Sequence, residues 1–264
     1  MRRQTVGILG GMGPHATVDF YGKVVEETAA ATDQEHLKIV IWADPTVPDR
    51  TRAVLHGGHS PLPWLVRGAA RLEALGADLV AMPCNTAHVF LPQLREVAGI
   101  PLLDMVEESA LAARNLVPDR GRVGLLATNA TVHSGLYHQR LTSAGITVET
   151  PDNGVQDRVM RAIHTIKSGR DKDAATAMLR QACRHLLDRG VRALIAACTE
   201  IPLALDASDL AVPVLDPTRI LAQAVVARST CGFPTSKPTP NRYLSTAHAR
   251  RAGRPEQLDK SDAT

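Results

Sequence analysis

The sequence predicts an α/β protein of two similar domains with mostly parallel sheets, related by a pseudo-twofold axis, with a functional cleft between them. Three observations carry this expectation. Short apolar runs alternate with longer stretches of helical spacing, the pattern of strands joined by crossover helices. Aromatic residues are only 3% of a chain that is 44% hydrophobic, so the core is built from Ala, Val, Leu and Ile, which suit helices packed on a parallel sheet. The chain also resembles itself. Val6-Gly7-Ile8-Leu9 recurs as Val123-Gly124-Leu125-Leu126. The segment from Gly76 to Cys84 is echoed by that from Gly190 to Cys198, and Ile100-Pro101-Leu102-Leu103-Asp104 by Val212-Pro213-Val214-Leu215-Asp216. The three segments keep their order at nearly one offset, so one half repeats the other.

The run 6–9 reads as a strand closed by the turn Gly10-Gly11-Met12-Gly13-Pro14, with a helix expected over about 17–31. A strand over 37–43 leads into a loop over 44–51. Helical spacing marks 63–75, a strand 78–82, and a helix 86–97. A short strand over 101–103 precedes a helix over 105–115. The second half continues with a strand at 123–127, a helix at 132–144, a strand at 147–149 and helices at 155–167 and 173–188. Strands at 193–197 and 213–215 and a helix at 217–227 complete the alternation. Beyond 229 the residues are mostly Ser, Thr, Pro, Lys and Arg, and the tail 230–264 is expected to be disordered.

Lys and Arg number 30 and Asp and Glu 27, a net charge of +3, with much of the excess at the two ends. No basic face argues for nucleic acid. No apolar stretch is long enough to span a bilayer, and the start Met1-Arg2-Arg3 does not lead into a signal peptide. The four cysteines match neither a zinc ribbon nor a disulfide framework, so reduced thiols in a cytoplasm are expected. Metal binding is not expected: Cys84 and His88 lack a paired-ligand partner set, and His88 reads as a structural residue.

Cys84 and Cys198 end equivalent strands of the two halves, and ligands of α/β sheets sit at the carboxyl ends of strands. Each is followed by polar residues, Asn85-Thr86 and Thr199-Glu200. An isolated cysteine is ordinarily a small buried hydrophobe, which is how Cys183 and Cys231 read; two at repeat-equivalent positions point to chemistry. Free N–H groups at a helix start would lower the thiol pKa. Inverting a carbon centre needs a base on one face and an acid on the other, and a thiolate and a thiol across one ligand supply both. Arg50, in the loop after the second strand, is either a bidentate carboxylate clamp or a solvated surface arginine. Lys167 reads as a helix C-terminal cation. The turn with Met12 and Gly13 nominally matches a dinucleotide fingerprint, with Asp44 placed for a ribose, yet such a turn serves any anion, a substrate carboxylate included.

These residues resemble the aspartate/glutamate racemase superfamily, and its aspartate racemase branch most. The similarity lies in Gly10-Gly11-Met12-Gly13-Pro14 with Ala16-Thr17, Pro48-Asp49-Arg50-Thr51, Met82-Pro83-Cys84-Asn85-Thr86-Ala87-His88, Gly124-Leu125-Leu126-Ala127-Thr128 and Cys198-Thr199-Glu200, over roughly 5–227. The resemblance implies amino-acid racemisation without pyridoxal phosphate or another cofactor, with Cys84 and Cys198 as the acid/base pair. It implies that Asn85, Thr86, Thr128 and Thr199 hold the α-carboxylate, and that Arg50 and Lys167 bind a side-chain carboxylate, which favours aspartate, with glutamate also in view. Met12, Gly13 and Glu200 are expected to line the same site. A homodimer is implied, as is a last helix that packs back on the first domain. The expected division is therefore 1–103 plus 213–229, and 104–212. Ala197 departs from the glycine that many members carry before the second cysteine. The alternatives are a broader amino-acid racemase or a related isomerase, a one-thiol decarboxylase, a non-catalytic bilobal binding protein, and a nicotinamide-dependent oxidoreductase.

Overall fold

The computed structural model describes residues 4–117 and 121–231. Two separate parallel sheets form the body. In the first, β1 (Thr5–Gly10), β2 (Lys38–Ala43) and β3 (Leu79–Ala81) lie in the order β2-β1-β3. In the second, β4 (Arg122–Ala127), β5 (Thr147–Glu149), β6 (Ala193–Ala197) and β7 (Val214–Leu215) lie in the order β5-β4-β6-β7.

The internal repeat survives down to strand register. Val6 pairs with Leu79 as Val123 pairs with Ala193, and a bridge from Val80 to Leu102 matches the pairing of Leu194 with Val214. The central strands β1 and β4 are buried almost along their length, which is why they read as unbroken apolar runs rather than alternating ones.

Ten helices cover these sheets among the described residues. In the first half they are α1 (Pro14–Glu27), α2 (Arg50–Leu55), α3 (Leu62–Ala74) and α4 (Leu91–Val97), followed by α5 (Met105–Leu116). The second half has α6 (Asn129–His133), α7 (Leu136–Thr142), α8 (Asn153–Lys167) and α9 (Lys172–Asp188), followed by α10 (Pro217–Cys231).

The halves exchange their last helices. Val106, Ala110 and Ala113 of α5 pack on Val123, Leu125 and Ala127 of the second sheet. Leu221, Ala222 and Val225 of α10 pack on Val6, Ile8 and Phe20 of the first half. Each crossover begins with an aspartate cap, as a helix start with unpaired N–H groups requires. Asp104 Oδ1 accepts the N–H groups of Val106 and Glu107, each at 3.0 Å, and Asp216 Oδ1 accepts that of Thr218 at 2.8 Å. Their second oxygens meet Arg140 at 2.8 Å and Lys23 at 2.7 Å. Arg219 ties α10 to α1 through Glu27 at 2.7 Å and Glu26 at 2.9 Å.

Several expectations shift. The first helix starts earlier, at Pro14, because proline suits the first turn. The loop over 44–51 passes into α2, capped by Asp49, which accepts the Arg52 N–H at 2.7 Å. The stretch 86–97 is a 3-10 turn, Thr86–Phe90, and then α4. A single α-helix would need an N–H from Pro92 and would clash with its ring. The stretch 132–144 is two short helices, α6 and α7, split at Gly135, whose φ of 68° lies in the left-handed region. β7 pairs with β6 in the second sheet, and α10, from Pro217, packs on the first half. Residues 230–231 extend α10, and the rest of the expected tail, 232–264, lies outside the described residues. Among the described residues no helix is long and apolar enough to cross a membrane.

Candidate active site

The carboxyl ends of β3 and β6 face one cleft of about 310 Å³. Cys84 follows β3 through Met82-Pro83, in a turn closed by its own N–H on Met82 O at 2.8 Å. Its carbonyl accepts Nδ1–H of His88 at 2.9 Å, and the Nε2 of that ring accepts the Met105 N–H at 3.0 Å. One neutral tautomer satisfies both bonds, and burial holds the His88 pKa below its ordinary value. His88 thus fastens the Cys84 loop to the start of α5.

Cys198 directly follows β6 and precedes the 3-10 turn Ile201–Leu203. Its Sγ lies 3.0 Å from Glu200 Oε2, which also accepts the Thr199 hydroxyl at 3.2 Å. The expected lowering of the thiol pKa fails here. Burial and then the Glu200 carboxylate push Cys198 well up, and Lys167 only partly opposes them. Neither cysteine stands at the start of a full α-helix, so the dipole that would favour a thiolate is short.

Lys167, the last residue of α8, is not an ordinary helix-end cation. Its side chain keeps 35% exposure, yet Nζ lies 3.8 Å from Glu200 Oε1. Burial works against its charge, but Glu200, Cys198 and Cys84 together hold its pKa above the usual lysine value. Arg50 opens α2 and is fixed by backbone carbonyls: Nη1 donates to Val47 and Pro48, both at 3.1 Å, and Nη2 to Met12 at 3.3 Å. Its Nε is buried without a partner. Arg50 lines the cleft.

Thr86, Thr128 and Thr131 form a buried triangle of hydroxyls, with sides of 2.9, 3.0 and 3.0 Å, across the two halves. Asn85 is buried beside them. Its Oδ1 accepts the Tyr137 hydroxyl at 2.5 Å, and its Nδ2 has no partner. Burial raises the Tyr137 phenol far above its usual range, so it remains an O–H donor.

Met12, Arg50, Cys84, Asn85, Thr86, Thr128, Lys167, Cys198, Thr199 and Glu200, all expected from sequence, line this one cleft. Gly13 does not. It lines an adjoining outer cavity of about 790 Å³ that shares Arg50, Lys167 and Glu200 with the cleft. The profile of the Asp/Glu/hydantoin racemase family matches residues 9–225. The chain belongs to that family.

Its relatives include a broad-specificity amino-acid racemase of Bacillus subtilis, 29% identical over 84% of this chain and 96% of that protein. A glutamate racemase of Carboxydothermus hydrogenoformans is 30% identical over 66% of each chain. Among solved structures, the aspartate racemase of Picrophilus torridus is 35% identical, covers 86% of this chain and 94% of its own, and superposes with a TM-score of 0.79. The chain is thus a racemase-family isomerase with the two-domain fold of those structures.

Other features of this racemase-family chain were not foreseen. Asp49 and Thr51 also line the cleft, Thr131 completes the hydroxyl triangle, and Tyr137 holds Asn85. The repeat carried one usable signal: the offset that aligns Val6 with Val123 also aligns Phe20 with Tyr137. The glycine turn is filled from within. Gly11 N–H donates to Thr17 Oγ1, and the Thr17 hydroxyl donates to Gly13 O, both at 2.9 Å. Gly11 has φ +92°, and a Cβ there would stand 2.4 Å from the Asp44 backbone. The Asp44 carboxylate accepts the N–H and hydroxyl of Thr46, at 2.9 and 2.6 Å. Ala197 is a fully buried core residue paired with Ala127.

Proposed function

We propose that this chain interconverts L- and D-aspartate by a two-cysteine acid/base mechanism that needs no cofactor. The observation that carries the reading is the convergence of Cys84 and Cys198, from equivalent strand ends of two repeated halves, on one small cleft. One sulfur removes the α-proton as a thiolate, and the other delivers a proton to the opposite face as a thiol; the pair ends with its roles exchanged. Burial and Glu200 favour the protonated form of Cys198, which suits the part of proton donor. The unpartnered Asn85 Nδ2 and the Thr86 and Thr128 hydroxyls suit binding of the α-carboxylate. Arg50 and Lys167 suit the side-chain carboxylate.

A second reading, a broader amino-acid racemase, is favoured by the buried Glu200 carboxylate beside Lys167 and by the Bacillus subtilis relative. We further place the first domain at 1–103 plus 217–231 and the second at 104–216. Three buried free thiols suit a reducing cytoplasm. A homodimer is supported by exposed Val18, Tyr21 and Val25 on α1 next to the open edge strand β2.

The test is incubation with L-aspartate in deuterated water without added cofactor, followed by chiral analysis, for the wild type, Cys84→Ser and Cys198→Ser. Deuterated D-aspartate from the wild type, lost in both variants, is expected. Inversion that persists in either variant overturns the two-thiol mechanism. Inversion of neutral or basic amino acids at rates near that for aspartate selects the broader reading.

A further inference from the structure

We propose that Tyr137 is a positioning residue that sets the Asn85 side chain for the substrate carboxylate, through a hydrogen bond that joins the two halves. The inference rests on the racemase reading for its kinetic consequence, though not for its geometry.

Tyr137 sits in α7, fully buried in the second-half core against Val106, Leu125 and Leu141. The only polar atom of its side chain is the hydroxyl, and a hydroxyl buried without a partner would be costly. It donates to Asn85 Oδ1 at 2.5 Å, and Asn85 directly follows Cys84. A carboxamide has one acceptor end and one donor end. With the acceptor end taken by Tyr137, the Nδ2 group is the end left over, buried, without a partner, in a side chain that lines the cleft. An N–H donor held in this way is set for an anion before the anion arrives, which spares the ordering of a free side chain on binding.

The internal repeat separates this role from packing. Phe20 is the equivalent of Tyr137, equally buried, on α1 facing α10 as Tyr137 on α7 faces α5. The fold therefore accepts a plain ring at this place. The position equivalent to Asn85 is Thr199, whose hydroxyl is bonded inside its own loop to Glu200. Hydroxyl and amide occur together in one of the two repeat-equivalent pairs, Tyr137 with Asn85, and are both missing from the other, Phe20 with Thr199. That pairing is what a dedicated contact requires and what core filling does not.

The same comparison supplies the test, because Tyr137→Phe copies the first half and should fold. Its melting temperature is expected within about 3 °C of the wild type. KM for L-aspartate should rise about 5–10-fold while kcat changes less than about twofold. In an Asn85→Ala background, Tyr137→Phe should change neither, since its effect passes through Asn85. An unchanged KM, or an effect of equal size in both backgrounds, overturns the proposal. A second readout needs neither activity nor a variant of Tyr137. In the wild type, NMR should show a slowly exchanging Tyr137 hydroxyl proton with a through-space contact to the Asn85 amide, lost in Asn85→Ala. Exchange as fast as that of a free tyrosine hydroxyl overturns the proposal. If the contact is present but aspartate is not racemised, the positioning stands and the functional reading fails.

Discussion

Replacing Glu200 with Gln removes the charge that faces both Cys198 and Lys167. Glu200 Oε2 lies 3.0 Å from Cys198 Sγ. At that separation an effective dielectric of about 20 gives a ceiling of about 5.5 kcal/mol against the thiolate. Lys167, 3.8 Å from the other oxygen, offsets part of this, and a carboxamide keeps a polar contact with the sulfur. We expect the Cys198 pKa to fall and to stay above an ordinary thiol, because burial, its largest cause, is unchanged. The assay is the pH dependence of iodoacetamide alkylation at Cys198, followed by mass spectrometry in a Cys84→Ser background. Its midpoint should move to lower pH. The variant also releases Lys167 from an internal carboxylate, so KM for L-aspartate should fall. A midpoint that stays in place or moves up would refute the role of Glu200 in keeping Cys198 protonated.

Lys167→Gln should raise KM for L-aspartate by about 10–100-fold, the worth of one charge-assisted hydrogen bond, and leave any turnover of alanine nearly unchanged in a coupled chiral assay. Asp104→Ala removes the α5 cap and leaves Arg140 without its buried partner, so urea denaturation should show a loss of about 2–3 kcal/mol; a loss under about 0.5 kcal/mol would contradict the account of the crossover. The lowered pKa of His88 makes stability depend on pH with a definite sign. The unfolded chain binds the proton near pH 6.5 and the folded one does not, so this contribution is full above about pH 6.5 and is lost as pH falls below it. Thermal melts of the wild type should therefore steepen in their decline between about pH 6.5 and 5, and His88→Gln, less stable at neutral pH, should show a shallower decline.

The strands and both thiols were legible because they depend on local pattern. A buried parallel strand is an apolar run whatever surrounds it, and the repeat gave each cysteine an equivalent in the other half. The site residues that depend on distant contacts read differently. Lys167 has the spacing of an ordinary helix-end cation, and only the packing of α8 brings it to Glu200. Tyr137 lies at an apolar helical position, and its role resides in a hydroxyl that no periodicity describes. The helix over 86–97 was overextended because apolar spacing outweighed Pro92, whose missing N–H ends one turn and opens the next. The pKa of Cys198 was misjudged because a strand-end cysteine suggests a helix dipole, whereas a carboxylate two residues on faces the sulfur directly.

Because α5 covers the second sheet and α10 the first, neither half of this molecule is a closed body. A chain divided between Leu103 and Asp104 would leave one fragment with Ile8, Phe20 and Val24 bare, and the other carrying α10 with its apolar face of Leu221, Ala222 and Val225 uncovered. The two pieces are complementary, and mixing them would restore both surfaces in one step. The exchange also limits how the halves can move. Since α5 and α10 also pack against one another, neither half can turn away from the other without breaking that contact or a helix–sheet contact.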